Sequence, residues 1–468
     1  MPDRFDIIIV GAGPGGYIAA LRAAQLGKRA LLVEADTIGG TCMNWGCIPT
    51  KHLLHLTRVF EEVRTAKHLS GPREAIACDW TRVQEERAKA VEKLVKGTEF
   101  LLRKNGVALA AGSAALEAPD RVAVTSRAGG REVHEAARVL LASGSRSADL
   151  PFAKPDGERI ITSREALELA VVPRSLVVIG AGAIGLELAT VFRRMGTEVV
   201  VLEILPGVLP GSDREMAQRL ERSLTRQGLK IRTRMKIEDV RAEESGVLVK
   251  GIDLKAGSPF EVRAEKVLVA AGRKSNSEFL RSGPPGLSIG RQGLVEVNAK
   301  LETGLPGVYA VGDLIGGKLL AHKASHEGIR AVENAFGPGA EMRYDALPMA
   351  VFTEPEYASV GLSEEEAAER GLEIRVGKFP LQASGRALTM ESPDGLVKVL
   401  AARDGRLLGA HILAPHASEI IPELTLAVEK GLGLDDIGRT IHIHPTLSET
   451  VMEAALKAQD GAFHILNV

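Results

Sequence analysis

Short apolar runs alternate with a helical segment at the start of the chain. The run Asp6–Val10 has the continuous apolar character of a buried parallel strand. After a glycine-rich turn, the segment Tyr17–Leu26 is rich in alanine and leucine and is followed by Gly27, as expected of a helix and its C-terminus. A second apolar run, Arg29–Val33, leads to Glu34. This order predicts a strand–helix–strand unit built on a parallel sheet.

The turn between the first strand and the helix carries the pattern Gly-x-Gly-x-x-Gly at Gly11, Gly13 and Gly16. Glycines let the backbone turn tightly and approach a pyrophosphate, and the helix N-terminus offers N–H groups and a positive dipole to it. Glu34, at the end of the second strand, is placed to accept hydrogen bonds from ribose hydroxyls. The unit is therefore predicted to bind a dinucleotide.

The same pattern returns in the middle of the chain. In both copies the acid lies 23 positions after the first glycine, at Glu34 after Gly11 and at Glu203 after Gly180. The alternative is a glycine-rich turn in an α/β domain without a nucleotide, but each copy has the strand, helix and acid that the motif requires. The second copy consists of strand Leu176–Ile179, glycines Gly180, Gly182 and Gly185, helix Leu186–Met195, strand Glu198–Leu202 and Glu203.

The acid of the second copy predicts which nucleotide it binds. A carboxylate at Glu203 would bond a free 2′-hydroxyl and repel a 2′-phosphate, which favours NAD over NADP. No cluster of arginines follows, because the next residues are Ile204-Leu205-Pro206-Gly207. The alternative interpretation is an exposed carboxylate at a strand end.

Elsewhere, the pattern predicts a long amphipathic helix over Glu86–Lys104. It also predicts strands around Ala350–Val360 and Leu396–Leu413.

Two cysteines, Cys42 and Cys47, lie in the segment Gly39–Lys51 with four residues between them. A helix is predicted to begin near Cys47, so its dipole and the nearby Lys51 would favour a thiolate there. The alternatives are a metal site and a structural disulfide. Zinc usually needs four ligands and the chain has no second pair, while a disulfide closing so small a loop would add little constraint. No metal is expected, and Cys78 is interpreted as a buried free thiol.

Near the other end, His444 precedes Pro445 and is followed by Glu449. The segment Pro445–Glu449 resembles a helix start, with Glu449 projecting back toward the loop. A carboxylate on one imidazole nitrogen would fix the tautomer and raise the basicity of the other nitrogen, as needed to take a proton from a dithiol. The alternative is a surface histidine near a helix cap.

Composition limits the classes of function. A chain of 468 residues is expected to form two to four domains. Its net charge of −1 gives no indication of a nucleic-acid or membrane-surface partner, and no run approaches the ~18 apolar residues of a membrane span. The first strand begins almost at Met1, and only three cysteines occur. A cytoplasmic protein is therefore expected.

Taken together, the segments Gly39–Lys51, Gly180–Glu203 and His444–Glu449 resemble the class I pyridine nucleotide-disulfide oxidoreductases. Within that family they are most similar to the members that oxidise dihydrolipoyl groups. The resemblance covers essentially the whole chain. One departure is Trp45, which stands where a smaller apolar residue is expected between the cysteines. Further matching signatures are Ala142–Arg146, Val269–Arg273, Val308–Asp313 and Leu319–Ala324.

The resemblance implies an α/β fold with two Rossmann-like dinucleotide-binding domains, one for FAD and one for NAD, and a C-terminal α+β dimerisation domain. The FAD domain would span residues 1–149 and 276–344, the NAD domain 150–275 and the interface domain 345–468.

The resemblance also implies roles for single residues. Cys42 would be the thiol that exchanges with the substrate, and Cys47 the thiol that contacts the flavin. Lys51 and Glu187 would pair near the flavin. His444, oriented by Glu449, would be a base supplied by the opposite subunit, so a homodimer is implied. The remaining expected cofactor contacts are Gly11, Gly13, Gly16, Glu34, Gly112, Ser143, Gly144, Ser145, Asp313 and Ala321, and Gly180, Gly182, Gly185, Glu203, Ile237 and Gly272.

The implied activity is oxidation of protein-bound dihydrolipoyl groups to lipoyl disulfide, with electrons passing through the Cys42–Cys47 disulfide and FAD to NAD⁺. The implied partner is a lipoylated carrier protein of a 2-oxo acid dehydrogenase or glycine cleavage-type complex. Glutathione-type reductases should carry basic residues near position 203. Mercuric reductases should carry a second cysteine pair near the C-terminus, which this chain lacks. A non-catalytic flavoprotein would have no need of His444.

Overall fold

The computed structural model describes residues 4–72, 76–280 and 283–467. The strands are β1 (Phe5–Val10), β2 (Ala30–Glu34), β3 (Ala108–Ala111), β4 (Ser113–Ala118), β5 (Arg121–Thr125), β6 (Arg131–Leu141), β7 (Ser145–Ser147), β8 (Ile160–Thr162), β9 (Ser175–Ile179), β10 (Glu198–Leu202), β11 (Lys230–Arg232), β12 (Met235–Glu243), β13 (Gly246–Asp253), β14 (Ser258–Ala264), β15 (Lys266–Val269), β16 (Arg273–Ser275), β17 (Val308–Ala310), β18 (Met349–Val351), β19 (Glu356–Gly361), β20 (Ile374–Pro380), β21 (Leu396–Ala402) and β22 (Leu407–Ala414). The α-helices are α1 (Pro14–Gln25), α2 (Gly40–Trp45), α3 (Cys47–Thr65), α4 (Trp80–Lys104), α5 (Ser163–Leu167), α6 (Ala183–Arg194), α7 (Arg214–Arg226), α8 (Ala321–Phe336), α9 (Glu364–Glu369), α10 (Gly385–Thr389), α11 (Ala417–Lys430), α12 (Leu434–Arg439) and α13 (Glu449–Lys457).

The first unit is a sheet in the order β3-β2-β1-β6-β5-β4, with β17 against β6. The central strand β1 runs parallel to β2 and β6, and Ile8 lies opposite Leu31 on one side and Val139 on the other. The strand predicted at the start of the chain is therefore confirmed. Because β1 is apolar on both faces, it can be covered by helices on one side and by the β4–β5–β6 meander on the other.

Helices α1 and α8 cover one face of this sheet and touch through their backbones. A Cβ atom on Gly328 of α8 would lie 2.2 Å from the carbonyl oxygen of Gly15 in α1, so only glycine allows this crossing. The contact fixes α8 directly behind the glycine-rich turn of the first unit.

The second unit repeats this plan with a parallel sheet in the order β11-β10-β9-β15-β8, beside the antiparallel sheet β12-β13-β14. Helices α1 and α6 both begin three residues earlier than the sequence pattern predicts, at Pro14 and Ala183. The reason is that Gly13 and Gly182 are the N-caps, so the helix starts inside each glycine motif and points its first N–H groups at the turn. The long helix predicted from Glu86 likewise begins earlier, at Trp80, where the Asp79 side chain caps it.

The C-terminal unit is an antiparallel sheet in the order β18-β19-β22-β21-β20, covered by α11 and α13. The strands expected around Ala350–Val360 and Leu396–Leu413 are present, and each region forms two strands rather than one. The first is interrupted before Pro355, which cannot donate to a ladder, and the second by a turn at Gly405 with φ of +91°. The fold is thus α/β, with two Rossmann-like units and a C-terminal α+β unit. No helix within the described residues is both long and apolar enough to cross a membrane.

A buried ionic network joins the second unit to the C-terminal unit. The Lys398 ammonium lies 2.8 Å and 2.9 Å from the two carboxylate oxygens of Asp213, and 3.0 Å from Glu215. Lys398 and Asp213 are fully buried. Burial alone would raise the pKa of Asp213, but the hydrogen bonds from Lys398 outweigh it and the pKa falls below its usual value.

We expect Lys398→Met to lower the stability of the folded chain by about 3–5 kcal/mol, because it leaves the Asp213 carboxylate buried without a cation. The measurement is the urea midpoint of unfolding, compared with that of Arg226→Gln. Arg226 pairs with Asp394 across the same two units, but both side chains are more than half exposed, so a change of only about 0–1 kcal/mol is expected there. Equal effects of the two substitutions would contradict the prediction.

Candidate active site

The two cysteines lie where one helix ends and the next begins. Cys42 is in the first turn of α2, and Cys47 is the first residue of α3. Gly46 separates the helices, and a Cβ atom there would lie 2.7 Å from the carbonyl oxygen of Thr41. The Thr50 hydroxyl donates to the Gly46 carbonyl at 2.7 Å and fixes the break. The helix predicted to begin near Cys47 is therefore confirmed, and the two half-buried cysteines interact across the break.

Each sulfur changes the acidity of the other. The hydrogen bond that the Cys42 thiol donates to Cys47, together with burial, raises the pKa of Cys42 well above its usual value. The same hydrogen bond lowers the pKa of Cys47 to about 7, helped by the positive charge of Lys51 and opposed by burial. Cys47 is therefore the better thiolate and the better leaving group of the two.

The Lys51–Glu187 pair implied by the family resemblance is formed, with Nζ to Oε2 at 2.8 Å. The other oxygen of Glu187 accepts from the backbone N–H of Phe352 at 3.0 Å, and the Lys51 ammonium lies 4.6 Å from the centre of the Phe352 ring. Lys51 comes from the first unit, Glu187 from the second and Phe352 from the C-terminal unit. All three units therefore meet one helical turn beyond Cys47.

The glycine motif of the first unit has one open position between two closed ones. A Cβ atom on Gly11 would lie 2.4 Å from the carbonyl oxygen of Ala142, and one on Gly16 would lie 1.7 Å from the carbonyl oxygen of Gly11. Above Gly13, at the N-terminus of α1, a Cβ would meet nothing within 4 Å. Two glycines thus close the turn, and the third leaves room for a phosphate group at the helix N-terminus.

The second motif repeats this arrangement. A Cβ atom on Gly180 would lie 2.9 Å from the carbonyl oxygen of Ala270, and one on Gly185 would lie 2.0 Å from that of Gly180. The position above Gly182 is open. The two loops therefore offer the same space to a ligand.

The strand-end acids are held in the same way in both units. Glu34 accepts from the backbone N–H of Ala12 at 2.7 Å, and Glu203 accepts from that of Ala181 at 2.8 Å. The second oxygen of each carboxylate accepts from the N–H two residues further along the chain. Each acid is thus fixed against its own glycine turn, where a ribose attached to the pyrophosphate would lie.

A polar cluster stands where the chain passes between the first and second units. Ser145 donates from its hydroxyl to Asp313, and the Arg273 guanidinium donates to the Ser145 hydroxyl at 2.7 Å and to its carbonyl at 2.8 Å. Ser145 and Asp313, both predicted cofactor contacts, are therefore neighbours. Arg273 is not among the predicted cofactor contacts, because no local sequence pattern indicates a hydrogen bond between residues 128 positions apart.

Other predicted cofactor contacts lie around the first loop. The Ser143 hydroxyl donates to the carbonyl of Asn276 at 2.9 Å, and Gly144 has φ of +69°. The backbone N–H of Gly112 donates to the Glu34 carbonyl at 2.9 Å. Ala321 is the first residue of α8.

Gly272 and Ile237, two predicted cofactor contacts of the second unit, lie in different surroundings. Gly272 has φ of +79°, and its carbonyl accepts from Ala148 at 3.3 Å, at the passage between the units. Ile237 lies in β12, in the antiparallel sheet, and packs in the apolar core with Ile179 and Leu202. Its side chain is thus part of the core beside the second loop, and a role in binding stays a prediction.

His444 and Glu449 form the expected pair, with Nδ1 to Oε1 at 2.9 Å. The second oxygen of Glu449 accepts from the backbone N–H of Thr446 at 2.8 Å. Burial would raise the pKa of Glu449, but these two hydrogen bonds lower it below its usual value. An ionised carboxylate on Nδ1 holds the ring proton there and leaves Nε2 free to accept another. Helix α13 begins at Glu449, the last residue of the segment Pro445–Glu449 in which a helix start was predicted.

The surface around His444 is apolar and exposed. His444 itself is 81% exposed, and within the described residues it makes no hydrogen bond or ion pair with the segment of the two cysteines. Four large apolar side chains close to it in the sequence or in the C-terminal tail are more than three-quarters exposed: Ile441, Ile443, Phe463 and Leu466. Apolar surface of this extent indicates a contact with another protein chain.

One residue near this surface was missed by sequence reasoning. Nδ1 of His464 lies 2.6 Å from Oε1 of Glu453, a buried residue of α13 one turn beyond Glu449. The Glu453 carboxylate also accepts from the backbone N–H of Phe463 at 3.0 Å and so holds the tail in place. The spacing of 11 residues between the partners has no local periodicity that could have indicated the pair.

Comparison with known proteins gives a consistent result over the whole chain. Residues 5–334 match the family described as pyridine nucleotide-disulphide oxidoreductase, and residues 347–455 match its dimerisation domain. The chain is 42% identical over 465 residues to a dihydrolipoyl dehydrogenase of Thermus scotoductus, covering 99% of both chains. It is 41% identical to dihydrolipoyl dehydrogenase 3 of Pseudomonas aeruginosa, again over 99% of both. The crystal structure of LpdA from Mycobacterium tuberculosis superposes with a TM-score of 0.88 at 30% identity, covering 97% of this chain and 98% of that one.

Proposed function

The chain belongs to the pyridine nucleotide-disulphide oxidoreductase family, and from that premise we propose that it acts as a dihydrolipoyl dehydrogenase. It oxidises protein-bound dihydrolipoyl groups to lipoyl disulfide and passes the electrons through Cys42–Cys47 and FAD to NAD⁺. The observation that carries the proposal is the interacting pair of cysteines at the junction of α2 and α3, in which the pKa of Cys47 is lowered to about 7. A dithiol of this kind is suited to exchange with another dithiol.

The two glycine loops fit the two dinucleotides. Each has an open position at a helix N-terminus, at Gly13 and at Gly182, and a fixed carboxylate for a ribose, at Glu34 and at Glu203. The first loop adjoins the cysteine segment, so it suits FAD, and the second suits NAD. When bound, FAD supplies the two-electron acceptor for the dithiol, and NAD⁺ accepts the electrons as hydride.

The chain's own residues begin the reaction with a proton transfer. Nε2 of His444 of the partner subunit takes the proton from one substrate thiol, while Glu449 holds the ring through Nδ1 and stabilises the imidazolium. The substrate thus becomes a thiolate, the form that attacks disulfides.

Thiol exchange follows. The substrate thiolate attacks the sulfur of Cys42, the Cys42–Cys47 bond breaks, and Cys47 leaves as a thiolate. Attack on Cys42 is favoured because the leaving sulfur is then the one with the lowered pKa. The second substrate thiol then attacks the substrate sulfur bound to Cys42, the bond between that sulfur and Cys42 breaks, and the leaving Cys42 sulfur takes the second proton. Lipoyl disulfide is released, and the enzyme keeps the two electrons as a thiol at Cys42 and a thiolate at Cys47.

The protein forms a homodimer through the dimerisation domain that matches residues 347–455, and it works with 2-oxo acid dehydrogenase complexes. We further propose a lipoylated carrier protein as its direct partner, and a cytoplasmic location from the low cysteine content. The exposed position of His444 supports a site completed by the second subunit.

The test is reduction of NAD⁺ by dihydrolipoamide, followed as NADH under anaerobic conditions. We expect turnover with dihydrolipoamide and none with reduced glutathione at the same thiol concentration. A preference for glutathione, or for NADP⁺ as the acceptor, would refute the proposed function in favour of a glutathione-type reductase.

We expect Glu203→Gln to lower kcat/KM for NAD⁺ by about 10- to 100-fold, because a hydrogen bond between a charged group and the ribose contributes about 1.5–3 kcal/mol. The same change should weaken discrimination against NADP⁺, since the charge that repels a 2′-phosphate is lost. The measurement is kcat/KM for both nucleotides. Glu198→Gln, at the exposed other end of the same strand β10, is the control and should leave both values unchanged. An unaltered preference in Glu203→Gln would argue against this role.

A further inference from the structure

Trp45, the departure between the two cysteines, is covered by a residue of the second unit. The Arg164 guanidinium lies 4.1 Å from the centre of the Trp45 ring, which is the geometry of a close cation–π stack. Trp45 is the last residue of α2, and Arg164 is the second residue of α5. The contact thus joins the helix that carries Cys42 to the other nucleotide-binding unit.

Arg164 is itself held from a second side. One of its terminal nitrogens lies 3.5 Å from the carboxylate of Asp36, which follows the ribose-binding strand of the first unit. The guanidinium therefore rests between an anion and an aromatic face, both of which belong to the first unit. Two anchors reduce the freedom of a long side chain that is half exposed to water.

Two other residues of α2 are anchored within the first unit. Met43 is buried, with its sulfur 3.7 Å from the Thr98 hydroxyl, and the Asn44 amide donates to the carbonyl of Ile38 at 3.0 Å. With only six residues, α2 is too short to be stable by itself, so side-chain anchors decide where Cys42 lies.

When the Cys42–Cys47 bond is open, no covalent bond joins α2 to α3. Side-chain contacts of α2, among them the Arg164–Trp45 stack, must then keep Cys42 close to Cys47. Closure of the pair is an intramolecular reaction, and its equilibrium depends on how well the open dithiol is kept in the closing geometry.

We infer that Arg164 is a positioning residue for the redox pair, holding α2 through the face of Trp45 so that Cys42 stays against Cys47 while their bond is open. This rests on the proposed function only in taking Cys42 and Cys47 as a pair that opens and closes. Loss of the stack should make the disulfide less favourable relative to the dithiol, because the open form gains conformations from which the bond cannot form.

The experiment places the holoenzyme, without air, in buffers with different ratios of reduced to oxidised dithiothreitol. Enzyme disulfide and reduced dithiothreitol exchange two electrons and two protons to give enzyme dithiol and oxidised dithiothreitol. Thiols are trapped in acid with a maleimide and counted on the peptides that carry Cys42 and Cys47. In Arg164→Gln, half-reduction should require a ratio about two- to fivefold lower than in the wild type, which corresponds to a cation–π contact at a partly exposed site.

Matched variants separate positioning from charge. A terminal nitrogen of Arg127 also lies 3.4 Å from the Asp36 carboxylate, but no contact between Arg127 and Trp45 is found among the described residues. Arg127→Gln therefore removes a guanidinium from Asp36 without removing the stack. Arg127→Gln should leave the ratio at half-reduction unchanged. Trp45→Val should shift this ratio as far as Arg164→Gln does, although it removes no charge. Arg164→Lys should give a smaller shift than Arg164→Gln. The double variant Trp45→Val/Arg164→Gln should shift the ratio no further than either single change.

The inference is overturned if Arg164→Gln behaves as the wild type or as Arg127→Gln, or if the two single shifts add in the double variant. Because the assay uses dithiothreitol and thiol labelling alone, its result does not depend on lipoyl substrates or NAD⁺. Failure of the proposed function would instead appear as absence of NADH formation from dihydrolipoamide.

Discussion

Replacement of Cys47 by serine should lower NAD⁺ reduction by dihydrolipoamide by at least about 10³-fold, since residues that act as one catalytic unit fail together. Serine cannot form the disulfide that Cys42 presents to the substrate, so exchange has no leaving group. The measurement is kcat for NADH formation, together with the FAD content of the purified protein. The FAD content should stay at the wild-type level, because the glycine loop and Glu34 are unchanged.

Cys78→Ser is the matched control for this prediction. Cys78 is a half-buried thiol whose pKa is raised by burial, away from the exchanging pair, and its loss should leave kcat unchanged. Turnover by the Cys47→Ser protein within tenfold of the wild type would mean that electrons reach the flavin without the dithiol, and the mechanism would be wrong.

Replacement of His444 by glutamine should lower kcat by about 10²- to 10⁴-fold at neutral pH, the range of a lost general base. Glutamine keeps a polar side chain of similar length but cannot take a proton from the substrate thiol. The remaining activity should rise with pH toward the ordinary thiol pKa of about 8.5, because the substrate then ionises without help. The measurement is the pH profile of kcat/KM for dihydrolipoamide.

His442→Gln provides a control with the same chemistry two residues earlier in the chain. His442 also pairs with a glutamate, Glu423, at 2.9 Å, but its side chain is only 5% exposed and so is closed to a substrate. This variant should keep a pH profile like that of the wild type. Wild-type activity in His444→Gln would show that His444 is not the base that takes the proton from the substrate thiol.

The local parts of the fold could be predicted from the sequence because their signals are local. The strands before both glycine motifs, the acids after them and the helix that begins at Cys47 each depend on residues within one strand–turn–helix unit. The sequence pattern predicts helices from Tyr17 and Leu186, whereas α1 and α6 begin at Pro14 and Ala183. Glycine and proline usually indicate a turn, but here the glycine motif itself contains the first helical turn.

Contacts between distant residues were predictable only where a family resemblance supplied them. The Lys51–Glu187 pair was expected on that ground, and it is formed across 136 positions. By contrast, the bond from Arg273 to Ser145 and the stack of Arg164 on Trp45 have no periodic or compositional signal. Folding brings these residues together through the sheet topology, which a single sequence pattern does not describe. The residue boundaries of the three domains stay predictions.

The central claim is that the cysteine pair of one subunit works with His444 of the other, and a mixed dimer tests it most directly. The dimer contains one Cys47→Ser subunit and one His444→Gln subunit and is purified through two different affinity tags. If each site combines cysteines of one subunit with His444 of the other, one site carries both substitutions and the other carries none. We therefore predict about half of the wild-type activity per dimer. If the mixed dimer is no more active than the mean of its two parents, each site is built within one subunit and the claim is contradicted.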